Sequence, residues 1–253
     1  MASMDGKVVI VTGADRGVGF GIAQEMAAAG ARVVMTDLSQ EDVEAAAAQV
    51  GSGARGLTAD VTQLASMEAM YAEVMRLYGH LDAVVANAGV SDGAPLGSIT
   101  EKQFDFVTGV NLKGVLFTVQ AALPHLKPGG TAVIIASTAS IQAQQGLSVY
   151  GATKAGLRMF VCTWIQGLMG SGIRINMLSP GAIDIPSLRK AFVDASGPEN
   201  VDANIKRMGK GNPLGRLGDP REIGKAAVFL SSNQSSFITE VELFADGGVA
   251  QSG

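Results

Sequence analysis

Two residues that could carry out proton chemistry, Tyr150 and Lys154, stand four positions apart in the segment LSVYGATKAG, residues 147–156. In a helix this spacing places the phenol and the ammonium on the same face. Free tyrosine titrates near ~10, too high for an efficient base at neutral pH, and a nearby positive charge favours the phenolate. The pair is therefore a candidate acid/base with a lowered tyrosine pKa. The alternative is a tyrosine that packs through its ring beside the lysine stem.

A second candidate site is the glycine-rich stretch TGADRGVG, residues 12–19, which lies between an apolar β-branched run and a helical pattern. Glycines there let the backbone approach a pyrophosphate, while the start of a helix supplies oriented N–H groups. A glycine turn alone is a weak signal, but Asp37 follows at the spacing expected of a ribose-binding carboxylate. Asp37 could otherwise be a capping or solvated residue. Together the two features predict a dinucleotide site.

The residues around Asp37 also bear on the choice of cofactor. A carboxylate accepts hydrogen bonds from a free 2′-hydroxyl but repels a 2′-phosphate, and Leu38 offers no compensating charge. Arg16 acts in the opposite direction, because a guanidinium beside the turn could pair with that phosphate. We expect the carboxylate to dominate, so the sequence favours NAD over NADP. Arg16 is then a solvated or backbone-pairing side chain.

Strands and helices must bring these candidate site residues together. The sequence shows strand and helix patterns in alternation. Strands are predicted in KVVIVTG, ARVVMTD, ARGLTADV, LDAVVANAG, TAVIIAS, IRINMLSPG and EVELFADGG. Helices are predicted over residues 17–30, about 100–126 and 149–170, and in EDVEAAAAQV, MEAMYAEVMRLYG and PREIGKAAVFLSS. Such alternation predicts an α/β fold, a Rossmann-type doubly wound parallel sheet with helices on both faces, in a single domain over residues 1–253.

One region, about residues 182–215, breaks this rhythm. It contains Pro186, Pro198 and Pro213, several charges and no clean period. We expect a long loop here, and a loop of that length inside a compact domain usually forms a lid or a binding segment. We therefore predict that this region forms the substrate-binding loop.

Composition argues against several other functions. The net charge of −4 and the pI near 5.2 leave no basic stripe for nucleic acid. The single cysteine, Cys162, cannot form an internal disulfide, and the two histidines are far apart, so no metal site is expected. The N-terminus lacks the features of a signal peptide and no run approaches the length of a membrane span. We expect a cytoplasmic protein with no membrane partner.

The order of these motifs resembles the classical short-chain dehydrogenase/reductase family over essentially the whole chain. The resemblance rests on the glycine pattern, an Asp–Val pair at Asp60, an NAG motif at Asn87, a PG motif at Pro180 and four catalytic positions. It implies a cofactor site made of Gly13, Asp15, Arg16, Gly17, Val18, Gly19, Asp37, Leu38, Asp60, Val61, Asn87, Ala88, Gly89, Tyr150, Lys154, Pro180, Gly181 and Ile183.

The same resemblance identifies Asn111, Ser137, Tyr150 and Lys154 as a catalytic tetrad. Tyr150 is then the acid/base, Lys154 also binds the nicotinamide ribose, Ser137 polarises the substrate oxygen, and Asn111 helps hold a water relay to Lys154. Read alone, Ser137 could be a strand-ending serine that satisfies a backbone group, and Asn111 could mark a local distortion of its helix. The implied activity is hydride transfer between NAD(H) and a secondary alcohol or ketone.

One position departs from the family pattern. After the PG motif the family often has a threonine that binds the cofactor carboxamide, whereas this chain has Ile185, so Ser187 or backbone groups would have to replace it. The expected substrate pocket is mostly neutral or apolar, which favours a neutral alcohol or ketone. Its residues are Ser137, Tyr150, Ser91, Gln144 and Ile185.

Three other functions stay open at this point. An NADPH-dependent 3-oxoacyl-type reductase is disfavoured by Asp37 and by the lack of a basic docking patch. An epimerase or dehydratase usually has a longer C-terminal substrate domain, and an NAD-sensing regulator should have lost Tyr150 or Lys154. The family is commonly tetrameric, and apolar residues on several faces of the helices at 100–126 and 149–170 suit a homotetramer or burial within the domain equally.

Overall fold

A computed structural model describes residues 3–251, so residues 1–2 and 252–253 of the predicted domain lie outside the described residues. This part of the chain forms one parallel sheet in the order β3-β2-β1-β4-β5-β6-β7. The order reverses between β1 and β4, which is the arrangement of a doubly wound sheet and confirms the predicted fold. The strands are β1 Val8–Thr12, β2 Arg32–Asp37, β3 Arg55–Thr58, β4 Leu81–Ala86, β5 Leu126–Ile135, β6 Arg174–Pro180 and β7 Glu242–Ala245.

Helices connect the strands on both faces of the sheet. They are α1 Gly17–Ala28, α2 Gln40–Val50, α3 Leu64–Tyr78, α4 Glu101–Thr108, α5 Val115–Ala122, α6 Ser148–Gly167, α7 Pro186–Ser196, α8 Val201–Lys210 and α9 Pro220–Ser231. A π-helical segment, Gly109–Gly114, joins α4 to α5. Local chemistry fixes several ends: Asp219 and Glu222 form a capping box at the start of α9, and Gly79 ends α3 with a φ of 75°.

The sheet is buried on both faces, which explains why its central strands are runs of β-branched residues. The side chains of α3, α5 and α6 pack on one face, and those of α1, α2 and α9 pack on the other. All five residues of β1 are buried. Each fully buried valine or isoleucine contributes about 1.5–3 kcal/mol, so these two cores hold the carboxyl ends of the strands in fixed positions.

The predicted long loop at residues 182–215 is wrong in its secondary structure, because this region contains α7 and α8. Pro186 occupies the first turn of α7, where proline suits a helix, and Gly197 follows the helix with a φ of 85°. No residue of α7 is buried, and Lys190 pairs with Asp194 one turn on. Leu188 and Phe192, both half-buried, stand four positions apart on one face of α7, but this apolar period is short and lies among charged residues.

The expectation that no run approaches the length of a membrane span is also wrong. The helical stretch Glu101–His125 is long and apolar enough to cross a membrane, by length and composition alone. In this fold, however, Val115, Val119 and Ala122 of that stretch belong to the core beneath the sheet. Packing within the domain therefore explains the apolar character of this part of the stretch.

Candidate active site

The candidate residues follow the carboxyl ends of neighbouring strands. The glycine turn follows β1, Asn87 follows β4, Ser137 comes two residues after β5, and Pro180 ends β6. Because the strands are parallel, these ends lie at one edge of the sheet. The β1/β4 boundary, where the strand order reverses, is the place at which such sheets bind nucleotides.

The glycine turn is bonded directly to the segment after β4. The side-chain amide of Asn87 donates to the carbonyl oxygens of Thr12 and Gly13 at 2.9 and 2.8 Å. The Thr12 hydroxyl in turn accepts from the backbone N–H groups of Asn87 and Ala88, both at 3.1 Å. A Cβ on Gly13 would lie 2.7 Å from the Cα of Ala88, so only glycine allows this approach. The motif analysis missed Thr12, although its place directly before Gly13 was a usable signal.

The other two glycines have different structural roles. Gly17, with a φ of 61°, begins α1, and a Cβ added there would touch only Ile185, at 3.8 Å. A Cβ on Gly19 would lie 2.1 Å from the carbonyl oxygen of Gly13, so this glycine lets α1 pack against the turn. Val18 lies between them, partly buried against the core. The positive end of α1 therefore points to the site edge, which suits a pyrophosphate.

Two carboxylates lie close together, Asp15 within the glycine turn and Asp37 at the end of β2. Asp37 ends β2 and accepts from the N–H of Leu38 at 2.8 Å. Burial and the charge of Asp37 raise the pKa of Asp15, while Arg16 lowers it. Arg16 is 74% exposed and its Nη1 lies 3.6 Å from Asp15 Oδ2, so the guanidinium is both solvated and paired with a carboxylate. Two neighbouring acceptors fit the hydroxyls of a ribose and oppose a phosphate.

The Asp–Val pair lies at the start of the connection to α3. Asp60 Oδ1 accepts from the backbone N–H and the hydroxyl of Thr62 at 2.9 and 2.7 Å. Val61 is buried, and a Cβ on Gly114 would lie 2.7 Å from its Cγ2. Val61 therefore joins this turn closely to the end of the π-helical segment.

Tyr150 and Lys154 lie in the first two turns of α6, as their spacing predicted. Lys154 is 4% exposed and its Nζ donates to the carbonyl oxygen of Ile135 at 2.9 Å. The same Nζ lies 5.7 Å from the centre of the Tyr150 ring. The Ser137 side chain is near enough to Tyr150 to lower the pKa of the phenol, and Ser137 Oγ accepts from the N–H of Ala139 at 3.2 Å. The structure thus brings Ser137, Tyr150 and Lys154 together.

The predicted lowering of the Tyr150 pKa is wrong for the protein alone. Burial raises the pKa of Tyr150, and the Ser137 side chain offsets only part of that rise. Burial also lowers the pKa of Lys154 to about 8. The spacing in the sequence predicted that Tyr150 and Lys154 lie close together. It contained no information about how strongly burial desolvates the two side chains.

Asn111 lies fully buried in the π-helical segment, which confirms the expected distortion of its helix. Its side chain exchanges two hydrogen bonds, both 2.9 Å, with the backbone N–H and carbonyl of Val90, and it donates to Thr153 at 3.2 Å. A Cβ on Gly89 would lie 3.4 Å from both Asn111 Oδ1 and Lys154 Nζ. Asn111 therefore fixes the segment after β4 beside Lys154. Thr153 was not found from the sequence.

The remaining candidates fall into two groups. Gly181 and Ile183 follow Pro180, where a Cβ on Gly181 would lie 2.8 Å from Asp246 and Ile183 forms a bridge with Gly218. Ile185 packs against Gly17, so the structure places it at the glycine turn.

The second group is at the surface. Ser91 and Gln144 are exposed, and Gly93 packs closely against Gly146 and Leu147, so the two predicted substrate segments adjoin. Within residues 3–251 no group of three or more His, Cys, Asp or Glu side chains is placed to hold a metal ion.

Comparison with known proteins agrees with this geometry. A family model described as enoyl-(acyl carrier protein) reductase matches residues 13–250. Oxidoreductase asL5 of Sarocladium schorii is 39% identical over 98% of this chain and 97% of its own length. The chain therefore belongs to the short-chain dehydrogenase/reductase family, a family of oxidoreductases, and the resemblance in the sequence is confirmed.

Further relatives have named activities. Galactitol 2-dehydrogenase of Agrobacterium fabrum is 32% identical over 97% of this chain and 98% of its own. The 3-oxoacyl-[acyl-carrier-protein] reductase FabG of Thermotoga maritima is also 32% identical, over 97% of this chain and 98% of its own. The crystal structure of levodione reductase superposes with a TM-score of 0.92 at 30% identity, covering 99% of this chain and 100% of its own.

Proposed function

We propose that the protein is an NAD-dependent dehydrogenase that transfers a hydride between the nicotinamide and a secondary alcohol or ketone. The observation that carries this proposal is the contact among Ser137, Tyr150 and Lys154 at the same sheet edge as the carboxylates Asp15 and Asp37. One cluster supplies proton chemistry and the other suits a ribose. Family membership agrees with this pairing, since the relatives are oxidoreductases.

The cofactor would be held along the edge that runs from β2 to β6. The glycine turn and the start of α1 would bind the pyrophosphate, and Asp37 with Asp15 would accept hydrogen bonds from the adenosine ribose. Asp60 and Val61 would contact the adenine, while Asn87 and Gly89, with Pro180 to Ile183, would line the nicotinamide end. When bound, NAD supplies the hydride acceptor and a positive charge on its nicotinamide ring.

Tyr150 would move the proton on the substrate oxygen. Its pKa in the protein alone is raised by burial, so a positive charge is needed before the phenol can act as a base near neutral pH. Lys154 and the oxidised nicotinamide would provide that charge together. Ser137, whose side chain is near enough to Tyr150 to lower its pKa, would hold the same substrate oxygen. Asn111 would keep Lys154 and the segment after β4 in place.

The negative charges of the same two carboxylates are the reason for proposing NAD and not NADP as the cofactor. A 2′-phosphate would meet the charges of Asp37 and Asp15, and Arg16, the cation that could attract it, is already paired with Asp15. Leu38 is exposed and adds no charge.

The substrate is proposed to be a neutral polyol or another secondary alcohol. Ser91 and Gln144 offer uncharged hydrogen-bonding groups, and galactitol 2-dehydrogenase is among the relatives. A 3-oxoacyl thioester is the second candidate, favoured by the Thermotoga maritima relative.

The working form is proposed to be a cytoplasmic homotetramer. Phe104 and Phe106 on α4 and Met159 on α6 are large apolar side chains that are half or more exposed, which suits helix packing between copies. Light scattering on the purified protein gives the mass. A result near 26 kDa would remove the tetramer and leave the chemistry unchanged.

The test is a spectrophotometric assay of NADH formation with galactitol, sorbitol and cyclic secondary alcohols, in parallel with NADP. Acetoacetyl thioester reduction is measured with NADH and NADPH. The proposal expects turnover of a polyol or another secondary alcohol with NAD, which is lost in Tyr150→Phe. Turnover confined to the thioester with NADPH would favour the second candidate, and no turnover with either class would reject both.

A further inference from the structure

A buried charge lies behind the active site, at the start of β7. The side chain of Glu242 is 6% exposed and forms an ion pair with Arg158 on α6. Its Oε1 accepts hydrogen bonds from Ser179 at 2.6 Å and from Ser140 at 2.8 Å. No motif in the sequence pointed to this cluster, because its four residues are far apart along the chain.

Each partner of Glu242 belongs to an element that carries part of the proposed chemistry. Ser140 closes the turn that begins at Ser137, and its backbone N–H donates to the Ser137 carbonyl at 2.9 Å. Ser179 directly precedes Pro180 at the end of β6. Arg158 stands one helical turn after Lys154 on α6. One carboxylate therefore connects the serine turn, the PG segment and the catalytic helix.

Such a cluster is not explained by stability alone. Burying the Glu242 carboxylate is costly, and its ion pair with Arg158, whose side chain is 49% exposed, is screened by solvent and offsets little of that cost. A buried carboxylate oxygen that accepts two hydrogen bonds from different elements does, however, favour one arrangement of those elements. The elements joined here are those whose relative position decides whether Ser137 meets Tyr150.

We propose that Glu242 is a positioning residue that holds Ser137 beside Tyr150 by fixing the Ser140 turn and β6 against α6. This proposal rests on the proposed function only where it predicts a change in kcat. Its structural consequence, the Ser137–Tyr150 contact, can be measured without substrate or cofactor.

A matched control lies at the opposite edge of the sheet. Asp82, at the amino end of β4, is 5% exposed and is paired with Lys127 at 2.6 Å and with His80 at 3.2 Å. It also accepts from the N–H of Val8 at 2.8 Å. Asp82 therefore matches Glu242 in burial and ion pairing, but its partners carry none of the proposed chemistry.

The first experiment uses the full chain with ¹³C-labelled tyrosine. The sequence has three tyrosines, and Tyr150→Phe identifies the Tyr150 resonance. Glu242→Leu should shift or broaden that resonance. Glu242→Gln, which keeps an oxygen acceptor for both serines, and Asp82→Leu should leave it in place. An unchanged resonance in Glu242→Leu would overturn the proposal.

The second experiment uses steady-state kinetics with NAD and the best alcohol of the panel. Glu242→Leu should lower kcat about tenfold or more with KM for NAD within about twofold, and Glu242→Gln should restore kcat. Asp82→Leu should lose stability and keep kcat. Equal kcat values in Glu242→Leu and the wild type, well below the unfolding temperature, would contradict a positioning role.

A third variant covers the case in which Glu242→Leu does not fold. The double variant Ser140→Ala, Ser179→Ala keeps the ion pair and removes the two hydrogen bonds, and it should show the same spectral shift and loss of kcat. Absence of both effects would overturn the proposal. A wild type without activity would reject the proposed function instead. The two failures can be told apart, because the Tyr150 resonance is measured without substrate and does not depend on activity.

Discussion

The helix that carries Tyr150 and the segment made of α7 and α8 are built in opposite ways. In α6, Thr153, Lys154, Leu157 and Val161 are buried against the sheet. In α7 no residue is buried, and in α8 only Val201 and Gly209 are. The comparison shows that the proposed chemistry depends on the core, whereas the segment assigned to the substrate adds little to it. Substitutions in α7 and α8 should therefore change selectivity at small cost in stability.

The largest effect is expected in the buried region. Tyr150→Phe removes the hydroxyl that is proposed to exchange the proton and should lower kcat by about 10²–10⁴-fold, while nucleotide affinity stays nearly unchanged. Lys190→Met, on the exposed face of α7, should keep kcat within about twofold. Steady-state kinetics and NAD titration measure both. Substantial turnover in Tyr150→Phe would remove Tyr150 from the acid/base role.

A smaller effect is expected at the ribose end. Asp37→Ala should reduce the preference for NAD over NADP by about 10–100-fold, because it removes a charged acceptor and one of two repulsive charges. The ratio of kcat/KM for the two cofactors measures this. Arg16→Ala serves as the control and should change the ratio less, since that side chain is mostly exposed. An unchanged ratio in Asp37→Ala would exclude Asp37 from the ribose site.

Stability should depend on pH through the buried lysine. Burial lowers the pKa of Lys154 from 10.5 to about 8, so between these values the unfolded chain binds more protons than the folded one. The lysine's contribution to folding stability therefore rises with pH across this window, by about 3 kcal/mol in all. Urea unfolding at pH 7 and pH 10 should show this gain relative to Lys154→Met. A constant difference between the two proteins would contradict it.

The smallest effect is expected in α7. Arg189 pairs with Asp184 and Asp202 at the surface, where solvent screens such contacts. Arg189→Ala should shift the thermal midpoint by no more than about 2 °C. Calorimetry measures the shift. A much larger loss would mean that α7 is held more firmly to the domain than its exposure indicates.

The same comparison explains what could be predicted from the sequence. Strands such as β1 and the tetrad spacing could be found because burial on both faces leaves continuous apolar runs, and because Tyr150 and Lys154 are close in sequence. In α7 the apolar period is limited to a few positions, with only Leu188 and Phe192 half-buried, and it lies among charged residues. The helices were therefore mistaken for a loop.

Contacts between residues far apart in the chain were the second feature that the sequence could not predict. The hydrogen bonds of Thr12 to the segment after β4, and those of Glu242 to Ser140 and Ser179, join residues more than 60 positions apart. The raised pKa of Tyr150 is of the same kind, since desolvation depends on every element packed around the ring. Local sequence patterns contain no information about such long-range hydrogen bonds or about the desolvation of Tyr150.

The central claim is that charge supplied by Lys154 and bound NAD turns a buried phenol into a base. The most direct measurement is the ultraviolet titration of the phenolate at Tyr150, taken as the difference between the protein and Tyr150→Phe, with and without saturating NAD. We expect the Tyr150 pKa to lie above the ordinary tyrosine value without the nucleotide and below it with NAD bound. The same raised pKa in both forms would show that Tyr150 is not activated in this way.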